Sequence, residues 1–276
     1  MSLFLLSFFL VYGSMHAYAL LKARSALELG PGMTLALLPL LGVLLCAPII
    51  THHLSRHGYE EAARIVAHVG YLWMGFLFFF ACLSLSADIL RLPLRAMGSG
   101  GIAANAAAGL TGRPAILCIA GLAAALSAYA AVEASRIQIV RVRIVTDRLP
   151  ASVPSLRIAQ ITDLHLGLIH RSAKAREVAA IVAREHPDIF VSTGDLVDGQ
   201  LDGVTDLAEI FRGIPAPRGK FAALGNHEYY AGIDRSIGFT RKSGFTVLRD
   251  ASVTVDDAIR IAGVDDPAAA RFGRTG

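Results

Sequence analysis

The first half of this sequence has almost no charge. Residues 1–135 hold twelve charged side chains, among them Lys22, Asp88 and Glu133, while the remaining 141 residues hold thirty-six. A fold exposed to water carries roughly a quarter of its residues as Asp, Glu, Lys and Arg, so this scarcity excludes an ordinary soluble domain there. Cysteine is also scarce. Cys46, Cys82 and Cys118 all lie in apolar runs, with no C-x-x-C spacing and none in the second half, which rules out a disulfide framework or a thiolate metal site there. The formal charge of +4 is divided between both halves, and no basic run carries interleaved aromatics. A nucleic-acid partner is therefore not expected.

Four apolar runs fill the space left by the missing charges: residues 2–21, 33–50, 66–90 and 114–134. A helix needs about 20 apolar residues to cross a bilayer core, so each run predicts a transmembrane helix. The first run has no basic stretch before it and three more follow, which argues against a cleaved signal peptide. The connectors 22–32, 51–65 and 91–113 gather the charges, Pro31, Pro93 and a Gly-Ser-Gly-Gly turn at 98–101. His52, His53 and His57 fall in the second connector, without a carboxylate or Cys of ligand spacing, and read as a solvated interfacial loop. An even number of spans puts the N-terminus and the second half on one side of the membrane. Six Lys and Arg residues flank that side and five the other, so the positive-inside rule leans to a cytoplasmic soluble half.

Beyond Ser135 the period changes. Residues 137–146 alternate apolar residues with Arg141 and Arg143, as a half-exposed strand would, and 149–154 reads as a linker. The expected organisation is a transmembrane region over 1–135, a strand and linker over 136–155, and a further domain over 156–276. Within that domain 156–162, 188–193 and 220–224 predict buried strands. Helices are expected from Ser172 to about His186, over 204–212 and over 233–243. A strand at 245–248 and a hairpin of 252–255 with 259–262 complete the series. Strands alternating with helices predict an α/β fold built on parallel or mixed sheets.

Three successive strands each run into residues that carry chemistry. The first leads to Asp163-Leu164-His165, the second to Gly194-Asp195-Leu196-Val197-Asp198, and the third to Gly225-Asn226-His227-Glu228. In such sheets the carboxyl ends of the strands face the crevice, and positions i and i+2 leave a strand on the same face. The three segments should therefore converge. A donor set of Asp163, His165, Asp195 and Asn226 mixes hard oxygens with imidazole, which suits two divalent ions such as Mn²⁺, Fe or Zn²⁺ better than an all-oxygen Ca²⁺ site. Two such ions need a bridging carboxylate and can clamp a phosphate. Asp195, in a tight Gly-Asp turn, is the natural bridge, and Gly194 and Gly225 let the backbone turn sharply there.

In this order, D-x-H, G-D-x-x-D and G-N-H-E resemble the fingerprint of the calcineurin-like metallophosphoesterases. With D-L-H-L-G, G-D-L-V-D-G and I-A-G-V-D-D-P (Ile261 to Pro267), residues 156–267 are similar to the bacterial membrane-anchored, YkuE-like branch, which includes some lipid-A-pathway pyrophosphohydrolases. The resemblance implies an α/β sandwich in which Asp163 and His165 bind the first metal, Asp195 bridges, and Asn226 binds the second through its amide oxygen. It implies that His227 is the general acid or phosphate-contacting imidazole, oriented by Asp198, and that Glu228 supports the loop. The implied reaction is hydrolysis of a phosphate ester or pyrophosphate, in part of the branch a lipid-borne one of the UDP-diacylglucosamine type. The implied location is a bacterial inner (plasma) membrane. His170 and His186 match no motif and read as surface or helix-end residues, and Asp265 and Asp266 read as turn formers.

Histidine is missing where that family places its last ligands. No His follows His227, and the G-H-x-H element that would complete both metal shells has no counterpart before Gly276. Two readings follow, a truncated frame or fragment and a protein with a crippled site; loss of one contiguous block with three motifs kept favours truncation. Function then has three candidates. The first is a membrane-anchored dinuclear phosphoesterase, and the second a non-catalytic membrane protein whose incomplete domain binds a metal or partner. The third, a transporter with a regulatory domain, is disfavoured because intramembrane charges are limited to Asp88 and Glu133 near helix ends.

Overall fold

Long helices come first because nothing in the first half favours anything else. The computed structural model describes residues 3–97, 101–169, 172–198 and 205–272, so His170 and residues 98–100 of the expected glycine turn lie outside it. The chain divides into two units, 1–138 and 139–276.

The first unit contains α1 (Leu3–Leu27), α2 (Pro31–Arg56), α3 (Glu60–Ala96), α4 (Gly101–Gly109) and α5 (Arg113–Ser135). All but α4 are long and apolar enough to cross a membrane. Pro31 and Pro114 sit in the first turns of α2 and α5, where a missing N–H costs nothing. Small residues let α2 and α3 approach closely, since a Cβ on Gly70 would lie 2.5 Å from the Cβ of Ala47. Polar groups join α1 to α3: Lys22 forms an ion pair with Asp88, Tyr18 donates to Asp88 Oδ2 at 2.6 Å, and Trp73 Nε1 donates to His16 Nε2 at 2.9 Å. Ala26, Phe80, Ile116 and Ala123 bury the contact of α1, α3 and α5.

Two expectations fail in this unit. The connector 91–113 was expected to be loop, yet Pro93 lies inside α3 and α4 occupies residues 101–109. Apolar, alanine-rich sequence favours helix over loop once it is out of water. His52 and His53 belong to the last turns of α2, and His57 is its C-terminal cap, with His57 Nδ1 2.8 Å from the His53 carbonyl oxygen.

In the second unit β1 (Ile158–Ile161), β2 (Ile189–Ser192), β3 (Lys220–Ala222) and β4 (Thr246–Val247) form one parallel sheet in that order. The crossovers hold α6 (Ser172–Arg184), α7 (Thr205–Arg212), α8 (Asn226–Ala231) and α9 (Ile233–Lys242). A parallel sheet needs such helical returns, and its central strands are buried accordingly, with Ile189, Phe190 and Ser192 of β2 inaccessible. An antiparallel hairpin, β5 (Ala251–Val255) and β6 (Ile259–Gly263), follows. Asp256 and Asp257 both take positive φ at its turn, the conformation that matches the twist of paired strands. The hairpin adds Val253, Val255, Ile259 and Ile261 to the core around Ile189, Phe221 and Leu248.

Residues 137–146 are not a strand. Val140, Val142, Ile144 and Val145 are all exposed, and no described strand pairs with the segment. Alternation supplies the propensity, but a strand exists only where a neighbour takes its hydrogen bonds. Side chains tie the segment down: Gln138 Nε2 donates to Glu133 Oε1 at 3.2 Å, and Arg141 reaches Glu185 through Nη2 at 2.5 Å and Nε at 3.2 Å. That pair draws the Glu185 carboxyl below its ordinary pKa.

Candidate metal centre

The site begins where β1 stops. Asp163 and His165 do not leave a pleated strand on one face, as their spacing suggested; both lie beyond it with φ of 52° and 46°. Asp and His tolerate the left-handed region better than bulkier side chains do, so the chain can take both turns at these positions. Its backbone stays attached to the loop after β2. The Asp163 N–H donates to the Gly194 carbonyl at 3.2 Å, the His165 N–H to the Asp195 carbonyl at 2.9 Å, and the Asp198 N–H to the Leu166 carbonyl at 2.8 Å. These bonds extend the parallel ladder past both strand ends, and Leu166 and Val197 pair as an isolated bridge.

Asp195 is the most enclosed of the metal-ligand candidates, 9% exposed, whereas Asp163 is exposed and His165 and Asn226 are half-buried. It too has positive φ, 51°, and follows Gly194 at 115°. A Cβ on Gly194 would fall 2.7 Å from the Gly225 nitrogen, so only glycine fits between the two loops. The third loop closes from the other side. The His227 N–H donates to Asp195 Oδ1 at 2.9 Å, which fixes one carboxylate oxygen and leaves the carboxylate's remaining lone pairs available.

Glu228 holds these loops together. Its carboxylate, 1% exposed, accepts from the N–H groups of Asp195 at 2.9 Å, Leu196 at 2.7 Å, Val197 at 3.2 Å and Gly225 at 2.8 Å. Burial pushes its carboxyl above the ordinary pKa, while the N–H donors pull the other way. Four backbone donors on one buried acceptor make it a scaffold for the turn that presents Asp195.

The candidate donors meet as two overlapping groups. Ligand atoms of Asp163, His165 and Asp195 all lie within 4.8 Å of one another, and so do those of His165, Asp198 and His227. Two donors about 2.1 Å from one ion can be at most about 4.2 Å apart, and His165 Nε2 lies 3.9 Å from Asp163 Oδ1. That pair has the spacing and the mixed nitrogen and oxygen character of a divalent-cation site, and with Asp195 it makes a group that could hold an ion. The second group differs, because Asp198 Oδ1 is already bonded to His227 Nδ1 at 2.9 Å. A carboxylate can only accept, so Nδ1 carries the proton and Nε2 is the free position of the ring. The rings of His165 and His227 stand 4.4 Å apart at 78°, which sets that imidazole beside the first group. Asn226 opens α8 between Gly225 and His227, at the point where that helix meets Asp195.

Of the remaining candidates, His186 is exposed just beyond α6. Asp266 caps the short 3₁₀ turn Pro267–Arg271 by accepting from the Ala268 N–H at 2.7 Å. Asp265 departs from the expected turn role, because Arg249 grips it with Nη2 at 2.7 Å and Nε at 3.0 Å from its two oxygens. Arg249 Nη2 also reaches Tyr229 Oη of α8 at 3.5 Å. The pair closes the open end of the hairpin, where Arg249 before β5 lies opposite Asp265 after β6.

Residues 156–268 match the model of the calcineurin-like phosphoesterase family. An uncharacterized metallophosphoesterase of Aquifex aeolicus is 40% identical over 152 residues, 55% of this chain and 58% of the relative. A transmembrane protein with metallophosphoesterase domain of Danio rerio is 29% identical over 202 residues, 69% of this chain and 44% of the relative, so the likeness reaches into the helical half. The UDP-2,3-diacylglucosamine pyrophosphatase LpxG of Chlamydia muridarum is 36% identical over 94 residues, 33% of this chain and 29% of the relative. The chain thus spans about half the length, or less, of these relatives. No solved structure matches it significantly.

Proposed function

From a chain whose residues 156–268 form a calcineurin-like phosphoesterase domain, we propose a membrane-anchored hydrolase that cleaves a phosphate ester or pyrophosphate with two divalent ions, Mn, Fe or Zn. The observation that carries this reading is the meeting of Asp163, His165 and Asp195 from two separate loops. Asp163 and His165 would hold one ion, Asp195 would serve both, and Asn226 would hold the second. Bound there, the ions would polarise a phosphoryl oxygen and supply a nucleophile at neutral pH.

The chain's own groups do the rest. Asp198 keeps the proton on His227 Nδ1, so Nε2 is the atom from which a second proton can pass to the leaving oxygen. Glu228 fixes the turn that carries Asp195, which limits the reorganisation needed when phosphate arrives. Likeness to a protein named as a UDP-2,3-diacylglucosamine pyrophosphatase, on a chain with four helices able to cross a membrane, favours a lipid-borne phosphate or pyrophosphate.

The test is hydrolysis of bis-p-nitrophenyl phosphate and of UDP-2,3-diacylglucosamine by the purified protein, with Mn²⁺ and with chelator. Metal-dependent release that falls about 100-fold or more in His227→Ala is expected. Saturation with Mn²⁺ but no turnover of either substrate would leave a binding domain in place of an enzyme.

A further inference from the structure

The short helix α8 turns two different faces to its surroundings. Glu228 and Tyr229 are buried beneath it, whereas Tyr230 is 55% exposed. Positions i and i+3 are neighbours on a helix surface, so Tyr230 stands beside His227, their rings 5.6 Å apart at 67°. Phe272 adds a third ring, 5.8 Å from Tyr230 at 61° and itself 51% exposed. With His165 against His227, an edge-to-face row of rings runs outward from the metal-ligand candidates and changes along its length from imidazole to purely apolar.

Scattered surface aromatics are common, and one exposed tyrosine would mean little. Here two large rings pack against each other, and Tyr230 packs against the imidazole that Asp198 orients, while both keep about half of their surface open. Below them Tyr229 is clamped by packing on Leu224, Ala268 and Ala269 and by Arg249, and it stacks on Phe272 at 6.2 Å. The wall is thus supported from beneath, which lowers the entropy lost when something packs on it.

We infer that Tyr230, with Phe272 beside it, is the specificity surface that receives the non-phosphate group of the substrate, and that this group is apolar. The inference rests on the phosphoesterase reading, since the phosphate must sit at the metal-ligand candidates for the attached group to reach Tyr230. An apolar group on phosphate has two sources, a planar ring or an alkyl chain, and both gain by covering an exposed aromatic face.

Calorimetric titration of the Mn²⁺-loaded protein with methylphosphonate, butylphosphonate and benzylphosphonate separates the questions without relying on turnover. Benzyl- or butylphosphonate should bind about tenfold tighter than methylphosphonate, and in Tyr230→Ala that ratio should fall to within about twofold. Tyr230→Phe should keep the ratio, which separates loss of the ring from loss of the fold. A preference for benzyl alone identifies a ring-bearing substrate, and a preference for butyl alone an alkyl one; both support the inference. Methylphosphonate binding with no preference for either larger ligand, or an unchanged ratio in Tyr230→Ala, overturns it. Failure of all three ligands to bind removes the phosphoesterase reading, and this inference falls with it.

Discussion

Gly225 faces the carboxylate of Asp195 so closely that a Cβ there would lie 2.2 Å from Oδ1. The φ of −94° at Gly225 is open to any residue, so the demand for glycine is steric. Gly225→Ala must displace the Asp195 side chain or the turn that the His227 N–H holds against it. Overpacking of this kind costs about 1–3 kcal/mol, and the displaced carboxylate should weaken Mn²⁺ binding by about tenfold or more. Isothermal titration beside thermal melting checks both; retained affinity would show that Asp195 is not a ligand.

Removing Glu228 should unseat the same turn from below. In Glu228→Ala four backbone N–H groups lose their acceptor, and each buried orphan donor costs about 1–3 kcal/mol where water cannot replace the carboxylate. A loss of about 3 kcal/mol or more in denaturant unfolding is expected. Glu228→Gln keeps one carbonyl oxygen and should lose less. Equal losses would mean that the one oxygen Gln retains contributes nothing, and that the carboxylate's charge and second oxygen carry the whole effect.

What the sequence made legible was local. D-x-H, G-D-x-x-D and G-N-H-E each fit within five residues, and each follows a short apolar strand whose end the pattern marks. The left-handed turns at Asp163 and His165 were not legible, because the i, i+2 spacing points equally well to a strand face. Long-range partnerships were hidden for a related reason. Nothing near Asp88 names Lys22, whereas Arg249 and Asp265 lie opposite each other once the expected hairpin register is continued outward. The alternation over 137–146 signals a strand honestly as propensity, yet pairing is a property of two segments and only one is written there. The helix α4 was missed because glycines flank an alanine-rich stretch, and their turn signal outweighed its helix propensity.

Lys220 should make stability depend on pH in the alkaline range. Its ammonium donates to the carbonyls of Phe211 at 2.7 Å and Arg212 at 2.8 Å, at the end of α7. Burial first, and repulsion from Arg212 second, hold its pKa below the ordinary 10.5. The folded state therefore gives up this proton at lower pH than the unfolded chain, so the group costs stability while both are protonated. That cost fades as pH rises through the folded value towards 10.5. The difference in urea midpoint between the wild type and Lys220→Met should widen in favour of the wild type over this range. A difference that is flat with pH would contradict the assignment.

Four helices able to cross a membrane predict a protein that stays with the membrane fraction through high salt and alkaline carbonate. Within them, Lys22→Met should lower thermal stability in detergent more than the double variant Lys22→Met, Asp88→Leu. A carboxylate that has lost its cation within a membrane-spanning helix, even with Tyr18 still donating to it, is worse than no charge at all. Release by carbonate would remove the spans, and a double variant no better than the single would remove the pair as a structural unit.

The donors themselves predict two unequal metal sites in this chain. In the proposed site Asp163, His165 and the shared Asp195 would give the first ion three protein ligands, of which His165 would supply the nitrogen that borderline cations favour. There the second ion would share Asp195 and take the amide oxygen of Asn226, a neutral and weaker donor. Fewer protein ligands hold an ion less firmly and fix its geometry less well. Titration of the 276-residue chain with Mn²⁺ should then resolve one tight site and one about tenfold weaker or more. His165→Ala should abolish the tight site and Asn226→Ala only the weak one, while Asp195→Asn, which removes the shared ligand, should weaken both. Electron paramagnetic resonance of bound Mn²⁺ gives a readout independent of turnover, since two ions close enough to share Asp195 should show spin coupling that is lost when only the tight site is filled. Two sites of equal affinity, or a His165→Ala variant that keeps its tight site, would show that the ion is held by a different set of donors.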